Sequence, residues 1–329
     1  MTGTSRQTAK LLFLAWLLVL ALTCNARIGV EYQMPLGNPS AAESDSSNHE
    51  HYLIQRRVFA MDYDDRNGEP NWVSWDLTAD DMGMTKRTPA FHADADLPAS
   101  FHHITSADYK QSGFDRGHMC PSADRTDNAQ DNDAVFTMAN IIPQTPDNNQ
   151  GVWEHLEAEC REMAKAGNEL LIICGPAGFS GQHINQNGPV LVASHTWKIV
   201  VAVPDGPGSV LNRITAATRV IAVDIPNTSG VRRDPWTKYL VSVNQIEALT
   251  GYHFFTALAP DVARVLKSKI DGQPLPTFSA NETTATATPP SANSAQRLSW
   301  ELVAWGLIIL VVILCIGMLV VYFKTRPKR

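Results

Sequence analysis

The sequence predicts an α+β domain built on a mixed antiparallel sheet, and three observations carry that prediction. Sheet-forming and helical segments are interspersed, without the strict alternation of a doubly wound fold. Asp65-Arg66-Asn67-Gly68 supplies a hairpin turn between two apolar runs. From Asp115 to Arg161 the chain carries a dense set of polar groups on segments that can fold back as strand, loop and helix.

The first element is a targeting segment. Arg6 and Lys10 precede the apolar run Leu11 to Leu22, and the small residues Cys24 and Ala26 occupy the third and first positions before a cut, which predicts a cleaved secretory signal over 1–26. The run is shorter than the roughly 20 residues of a membrane span. Leu22-Thr23-Cys24 fits a lipoprotein cleavage box poorly, because Thr precedes the cysteine. A polar lead-in over 27–51 follows. His49, His51, His102 and His103 are scattered through loop sequence and are expected to be solvated rather than metal-ligating.

The domain is expected over 52–278. Tyr52 to Asp62 reads as a strand, the Asp65–Gly68 turn follows, and Asn71 to Leu77 reads as its hairpin partner. Residues 88–106 are loop-rich, with Pro89 and Pro98. Leu170 to Cys174 is a short, wholly apolar run closed by Gly175-Pro176, the pattern of a buried strand. His195 to Val203 and Arg219 to Ile225 read as two more strands, and Tyr239 to Val243 as a further short one. Asn244 to Thr250, closed by Gly251, and Asp261 to Ser268 have helical character.

Beyond the domain, 279–299 is Ser/Thr/Ala/Pro-rich and reads as a disordered tether. Residues 300–323 read as a transmembrane helix: Leu302 to Phe323 is apolar throughout, with Trp300, Trp305 and Tyr322 at its margins. Lys324, Arg326, Lys328 and Arg329 make 324–329 a basic cytoplasmic tail, so the domain is expected to face the periplasm or the cell surface. A sorting signal that is later removed is the alternative for this end.

In the 329 residues, 44% apolar and 18% charged content is that of a globular chain. The net charge of -6 excludes strong overall attraction to nucleic acid, because such binding rests on Lys and Arg displacing counterions. A local basic patch is compatible with it. Of the five cysteines, Cys24 and Cys315 fall in the terminal segments, leaving Cys120, Cys160 and Cys174 in a compartment that permits disulfides. One bridge and one free thiol is the expected arrangement, with Cys160–Cys174 as the pair because a helix and its following strand can lie side by side. Their spacing matches no zinc signature.

The polar groups of 115–161 match the needs of phosphodiester hydrolysis, which are a base for water, stabilisation of charge on the phosphoryl oxygens and help for the leaving oxygen. His118 is the natural base. Arg116 offers a planar fork of donors to phosphate. Read alone, Asp115-Arg116-Gly117-His118 is a turn. After Pro146-Asp147-Asn148, Trp153, Leu156, Cys160 and Met163 form an apolar stripe at helical spacing, with Glu157 and Arg161 beside it. That pair, four apart, reads either as a helix ion pair or as two groups aimed into a cleft.

Asp115-Arg116-Gly117-His118-Met119, Asn140-Ile141-Ile142-Pro143-Gln144, Asn149-Gln150-Gly151-Val152-Trp153 and Glu157 together resemble the DNA/RNA non-specific endonucleases, the family of secreted sugar-non-specific nucleases and mitochondrial endonuclease G. Leu36-Gly37-Asn38-Pro39-Ser40, Pro70-Asn71-Trp72-Val73, Ile225-Pro226-Asn227 and the segment Ile246 to Gly251 extend the likeness to roughly Gly37–Leu266. The resemblance implies a ββα-metal finger, with His118 as general base and Asn149 as the one direct protein ligand of Mg²⁺, for which Mn²⁺ can substitute. It further implies that Glu157 reaches the metal through water, that Asn140 helps to position the site, and that Arg116 and Arg161 hold the scissile phosphate. Asp115 is read as a structural acceptor. DNA and RNA are the implied substrates, cut to 5'-phosphate and 3'-hydroxyl ends. Two alternatives stand beside this reading: a catalytically silent nucleic-acid-binding domain, and a phosphodiesterase or phosphatase acting on small nucleotides.

Overall fold

The computed structural model describes residues 33–87, 90–185, 188 and 190–274. The expected signal, tether, membrane helix and basic tail lie outside the described residues, as does Asn281-Glu282-Thr283, which with Asn227-Thr228-Ser229 fits the N-glycosylation pattern. Among the described residues no helix is long and apolar enough to cross a membrane.

In chain order the elements are β1 (Tyr52–Gln55), β2 (Ala60–Asp64), β3 (Glu69–Leu77), β4 (Asp115–His118), α1 (Ala129–Ala134), β5 (Ile141–Gln144), α2 (Glu154–Lys165), β6 (Asn168–His183), β7 (Leu191–Pro204), α3 (Val210–Arg213), β8 (Arg219–Pro226), α4 (Val243–Thr250) and α5 (Pro260–Ser268). Six strands form one sheet in the order β1-β2-β3-β6-β7-β8, and β4 pairs with β5 in a separate two-stranded ribbon. All of the described pairings between these strands are antiparallel.

The long central strands are apolar in sequence because both faces of the sheet are covered. Leu170, Ile172 and Cys174 of β6 join one core with Val73, Trp75, Leu156 and Cys160. Leu171 and Ile173 join the other, with Trp197, Ile199, Ile246 and Leu266. The first core carries α2 and the β4–β5 ribbon. The second carries α4 and α5, behind the sheet.

Several expected boundaries move. The single strand expected over 52–62 is two strands, β1 and β2, broken where Arg56 N–H donates to the Phe59 carbonyl (2.8 Å). Gly175-Pro176 does not end β6. The pairing of β3 stops at Val73↔Cys174, so Pro176 needs no ladder donor on that side, and the strand continues beside β7. Glycine is required at 175, since a Cβ there would stand 2.3 Å from the Asn71 carbonyl oxygen. Residues 239–243 form no strand: Trp236–Tyr239 is a 3-10 turn, followed by one bridge between Val223 and Leu240. Asp115–His118 is a strand rather than a turn, its backbone engaged with β5 from Asp115↔Gln144 to His118↔Ile141.

The expected Cys160–Cys174 disulfide is absent: Cys120, Cys160 and Cys174 are all free and buried. They point into the first core, where Cys174 Sγ lies 3.6 Å from Met119 Sδ. The scattered histidines contact buried carboxylates and a backbone carbonyl. His49 and His102 both contact the buried Asp65, His51 contacts Asp62, and His103 contacts the Asp94 carbonyl.

Candidate active site

The ribbon β4–β5 and the start of α2 form a strand, loop and helix unit. Gly117 is essential to it: a Cβ there would fall 1.8 Å from Gln144 Oε1, so only glycine leaves room for that buried amide. Gln144 Nε2 donates to Asn148 Oδ1 (2.7 Å), and Asn148 Nδ2 donates to Thr196 Oγ1 and the Pro226 carbonyl (both 3.0 Å). The chain of amides ties the ribbon and the entry to the helix onto β7 and β8. Residues 148–153 form a wide helical turn interrupted at Gly151 (φ −129°, ψ −111°), and α2 follows. A Cβ at Gly151 would lie 2.6 Å from Arg232 Cα, so the loop after β8 closes tightly over this turn. Arg232 fixes it with Nε on Asp147 Oδ1 (3.0 Å).

Asn149 follows the anchored Asn148. Its Nδ2 donates to Asp115 Oδ2 (2.8 Å), which also accepts from Gln150 Nε2 (2.6 Å). Asp115 is thus an acceptor, as expected, but it joins the first ribbon strand to the helical turn. With the amide nitrogen so engaged, Asn149 Oδ1 is the atom left to meet a cation. Among the described residues no three His, Cys, Asp or Glu side chains gather to hold a metal. One neutral amide oxygen with a carboxylate on the following helix is a hard and sparse donor set. It fits a cation that keeps most of its water, as Mg²⁺ does, and does not fit zinc.

His118 is 8% exposed, and its ring sits between Phe91 (5.1 Å) and Phe136 (4.8 Å, edge-on). Burial, reinforced by Arg87 and Arg116, lowers its pKa to about 3. The imidazole is therefore neutral above about pH 3. Its Nε2 is buried and makes no hydrogen bond. Behind it, Asn140 is fully buried and clamps the backbone: Cys120 N–H donates to Asn140 Oδ1 (3.0 Å), while Nδ2 donates to the carbonyls of Cys120 and Val135 (both 2.9 Å). Asn140 thus holds the backbone two residues beyond His118.

Arg116 is exposed, its guanidinium 4.4 Å from the Phe91 ring centre. Arg87 lies over Phe136 at 5.1 Å. The two cations and His118 hence share one pair of phenyl rings. Arg161 does not pair with Glu157. It contacts Asp124 Oδ1 (3.3 Å) and Glu154 Oε1 (3.6 Å). Glu157 turns inward, 3.6 Å from Lys198 Nζ. Burial raises the Glu157 carboxyl to about 7, Lys198 and Arg161 offsetting only part of the rise. Burial also opposes the Lys198 charge, but the nearby acidic groups, Glu157 foremost, outweigh it.

Arg87, Phe91, Asp124 and Lys198 went unnoticed in the sequence. Arg87 stands alone in a loop, and Lys198 interrupts an otherwise apolar strand. That interruption is the one signal that could have marked a buried charge. The structure brings His118, Arg116, Asn149 and Asp115 onto one strand, loop and helix unit, with Glu157 and Arg161 on the same helix.

The profile describing DNA/RNA non-specific endonucleases matches residues 36–261. A nuclease from Nostoc sp. is 44% identical over 242 residues, covering 74% of this chain and 87% of the relative. Human mitochondrial endonuclease G is 26% identical over 213 residues, covering 61% and 69%. A crystal structure of an EndoG/EndoGI complex superposes with a TM-score of 0.61 at 22% identity, covering 75% of this chain and 97% of that one, and so shares the fold.

Proposed function

Since the chain belongs to the DNA/RNA non-specific endonuclease family, we propose that it is a Mg²⁺-dependent endonuclease that cuts DNA and RNA to 5'-phosphate and 3'-hydroxyl ends. The observation that carries this reading is the buried, neutral His118 between two phenyl rings that also carry Arg87 and Arg116.

In this reading Arg87 and Arg116 bind the non-bridging oxygens of the scissile phosphate, and Arg161 reaches it from α2. Neutral His118 removes a proton from the attacking water. The cost of charging a buried ring is then offset by the adjacent phosphate. Asn149, through its amide oxygen, and Glu157 would hold the Mg²⁺. When bound, the cation neutralises charge on the phosphate and the leaving 3' oxygen. Asp115 fixes the Asn149 amide, and the Gln144–Asn148 chain fixes the turn on which it rides. With contacts to phosphate alone, base sequence is not read.

The protein is further proposed to act outside the cytoplasm, at the cell surface or in the periplasm. The apolar run at 300–323 with its basic end supports this reading. The complete set of His118, Asn149 and Glu157 disfavours a silent binding domain.

The test is cleavage of supercoiled plasmid and of RNA by the purified protein with Mg²⁺ or with chelator. Nicking is expected only with Mg²⁺ and is expected to fall by about 10³-fold or more in His118→Ala. Intact nucleic acid under both conditions, with His118→Ala indistinguishable from the parent protein, refutes the proposal.

A further inference from the structure

Lys198 lies on β7, one strand in from the β8 edge of the sheet, and is 1% exposed, yet nothing in the reaction described above uses it. Its Nζ sits 4.0 Å from the ring centre of Trp153 and 5.7 Å from that of Trp75. The third neighbour is Glu157 Oε1, at 3.6 Å. Trp153 and Glu157 stand four positions apart, one turn on the same face of the helix. The ammonium therefore has a ring face on one side and a carboxylate on another, both supplied by the helix that follows Asn149.

Arg161 also bears on the Glu157 carboxyl electrostatically, but its ion pairs are made elsewhere. Arg161 is engaged by Asp124 Oδ1 (3.3 Å) and Glu154 Oε1 (3.6 Å). Asp124 is further held by Trp75 Nε1 (3.1 Å). Lys198 is thus the one described ion-pair partner of Glu157, and it is anchored in a strand paired on both sides, with β6 and β8, rather than on the helix. A free glutamate on a helix samples several rotamers. One whose Oε1 faces a fixed ammonium has a single preferred direction, with Oε2 left for another partner.

The geometry points to Lys198 as a positioning residue for the metal site: it holds Glu157 so that the carboxylate meets the hydrated cation in one orientation. Lysine, a compact point charge, fits the space between carboxylate and indole, whereas the wider planar guanidinium of arginine does not reproduce that placement. The inference rests on the reading of Glu157 as a group facing the cation. It adds that this role depends on a residue about forty positions away, on a different element.

The experiment compares the purified full-length chain with Lys198→Met, Lys198→Arg, Glu157→Gln and the Lys198→Met/Glu157→Gln double variant. Two quantities are read: Mn²⁺ affinity, from the electron paramagnetic resonance signal of the free ion, and the Mg²⁺ and DNA concentrations that half-saturate plasmid nicking. Outer partners of metal ligands typically matter about 10- to 100-fold in affinity, so Lys198→Met is expected to weaken Mn²⁺ binding by about tenfold or more. The half-saturating Mg²⁺ concentration is expected to rise in parallel, with KM for DNA unchanged. Lys198→Arg, which keeps the charge but moves it, is expected to weaken Mn²⁺ several-fold. The double variant is expected to be no worse than Glu157→Gln alone.

Parent-like Mn²⁺ affinity in Lys198→Met overturns the inference, as does a double variant whose losses simply multiply. Should Lys198→Met lose its circular dichroism spectrum, Lys198→Arg decides: parent-like metal affinity there overturns it. Glu157→Gln separates the two levels of the argument. If that variant keeps full Mn²⁺ affinity, the reading of Glu157 fails, whatever Lys198 does.

Discussion

At the scale of single residues, the site is governed by what burial does to charge. His118 is enclosed by phenyl rings and faces two cations, so its protonated form is disfavoured until about pH 3. In an NMR titration its ring signals are expected to stay flat between pH 8 and pH 5, where an ordinary histidine would titrate. A sigmoid centred near 6.5 would contradict this. Replacing the ring by alanine is expected to lower the nicking rate by about 10³-fold or more with the circular dichroism spectrum unchanged. Asn149→Ala is expected to abolish activity. Asp115→Ala, which removes the acceptor of both Asn149 Nδ2 and Gln150 Nε2, is expected to cost less, about tenfold, because the amide oxygen is still present but no longer oriented.

At the scale of elements, the helical turn before α2 is held by contacts that admit no side chain. Gly151→Ala would push a methyl group into the Arg232 backbone. A loss of about 1–3 kcal/mol of stability is expected, as for other overpacked sites, measurable as a lower urea midpoint, together with reduced activity as Asn149 shifts. The strand, loop and helix order was legible in the sequence because its signals are local: the stripe Trp153, Leu156, Cys160, Met163 and the Pro146–Asn148 stop are read within one segment. The partners that fix the site were not legible. Lys198 meets Glu157 across 41 positions, and Asn227 meets Thr145 across 82, so no local pattern records either. Strand boundaries failed for a related reason. Pro176 is a stop signal by itself and ceases to be one when the neighbouring strand ends beside it.

At the scale of the molecule, a sheet buried on both faces is made to accept several carboxyl groups. Asp76 is pushed up to about 8, first by burial and then by the neighbouring Glu169. Its ordinary value is 3.8, so between about pH 4 and pH 8 the folded chain holds a proton that the unfolded chain has released. Stability is therefore lost as pH rises through that window. Asp76→Asn is expected to flatten the dependence, which thermal unfolding at a series of pH values would show. A parallel curve for the variant would refute the assignment. The thiols are a second global property. Cys120, Cys160 and Cys174 are buried, and burial raises each of their pKa values. Alkylation by iodoacetamide is expected to miss all three in the native protein and to reach them after denaturation. The expected export to an oxidising compartment suggested a bridge in the sequence, whereas the fold uses the three sulfurs as small apolar groups.

Asn227-Thr228-Ser229 has a consequence for how the protein can be made. The Asn227 side chain is consumed by the fold: Nδ2 donates to the Pro143 and Ala193 carbonyls (both 2.9 Å), and Oδ1 accepts from Thr145 N–H (2.8 Å). A host whose secretory machinery attaches sugars to the emerging chain meets this tripeptide before those bonds exist. A glycan placed there would occupy the nitrogen that joins β5 to β7 and the loop after β8. The modified chain could not close the joint beneath Asn148 and Asn149. Production in a cell without that machinery avoids the trap, and a eukaryotic host would sort its product into a folded, sugar-free fraction and a misfolded, modified one.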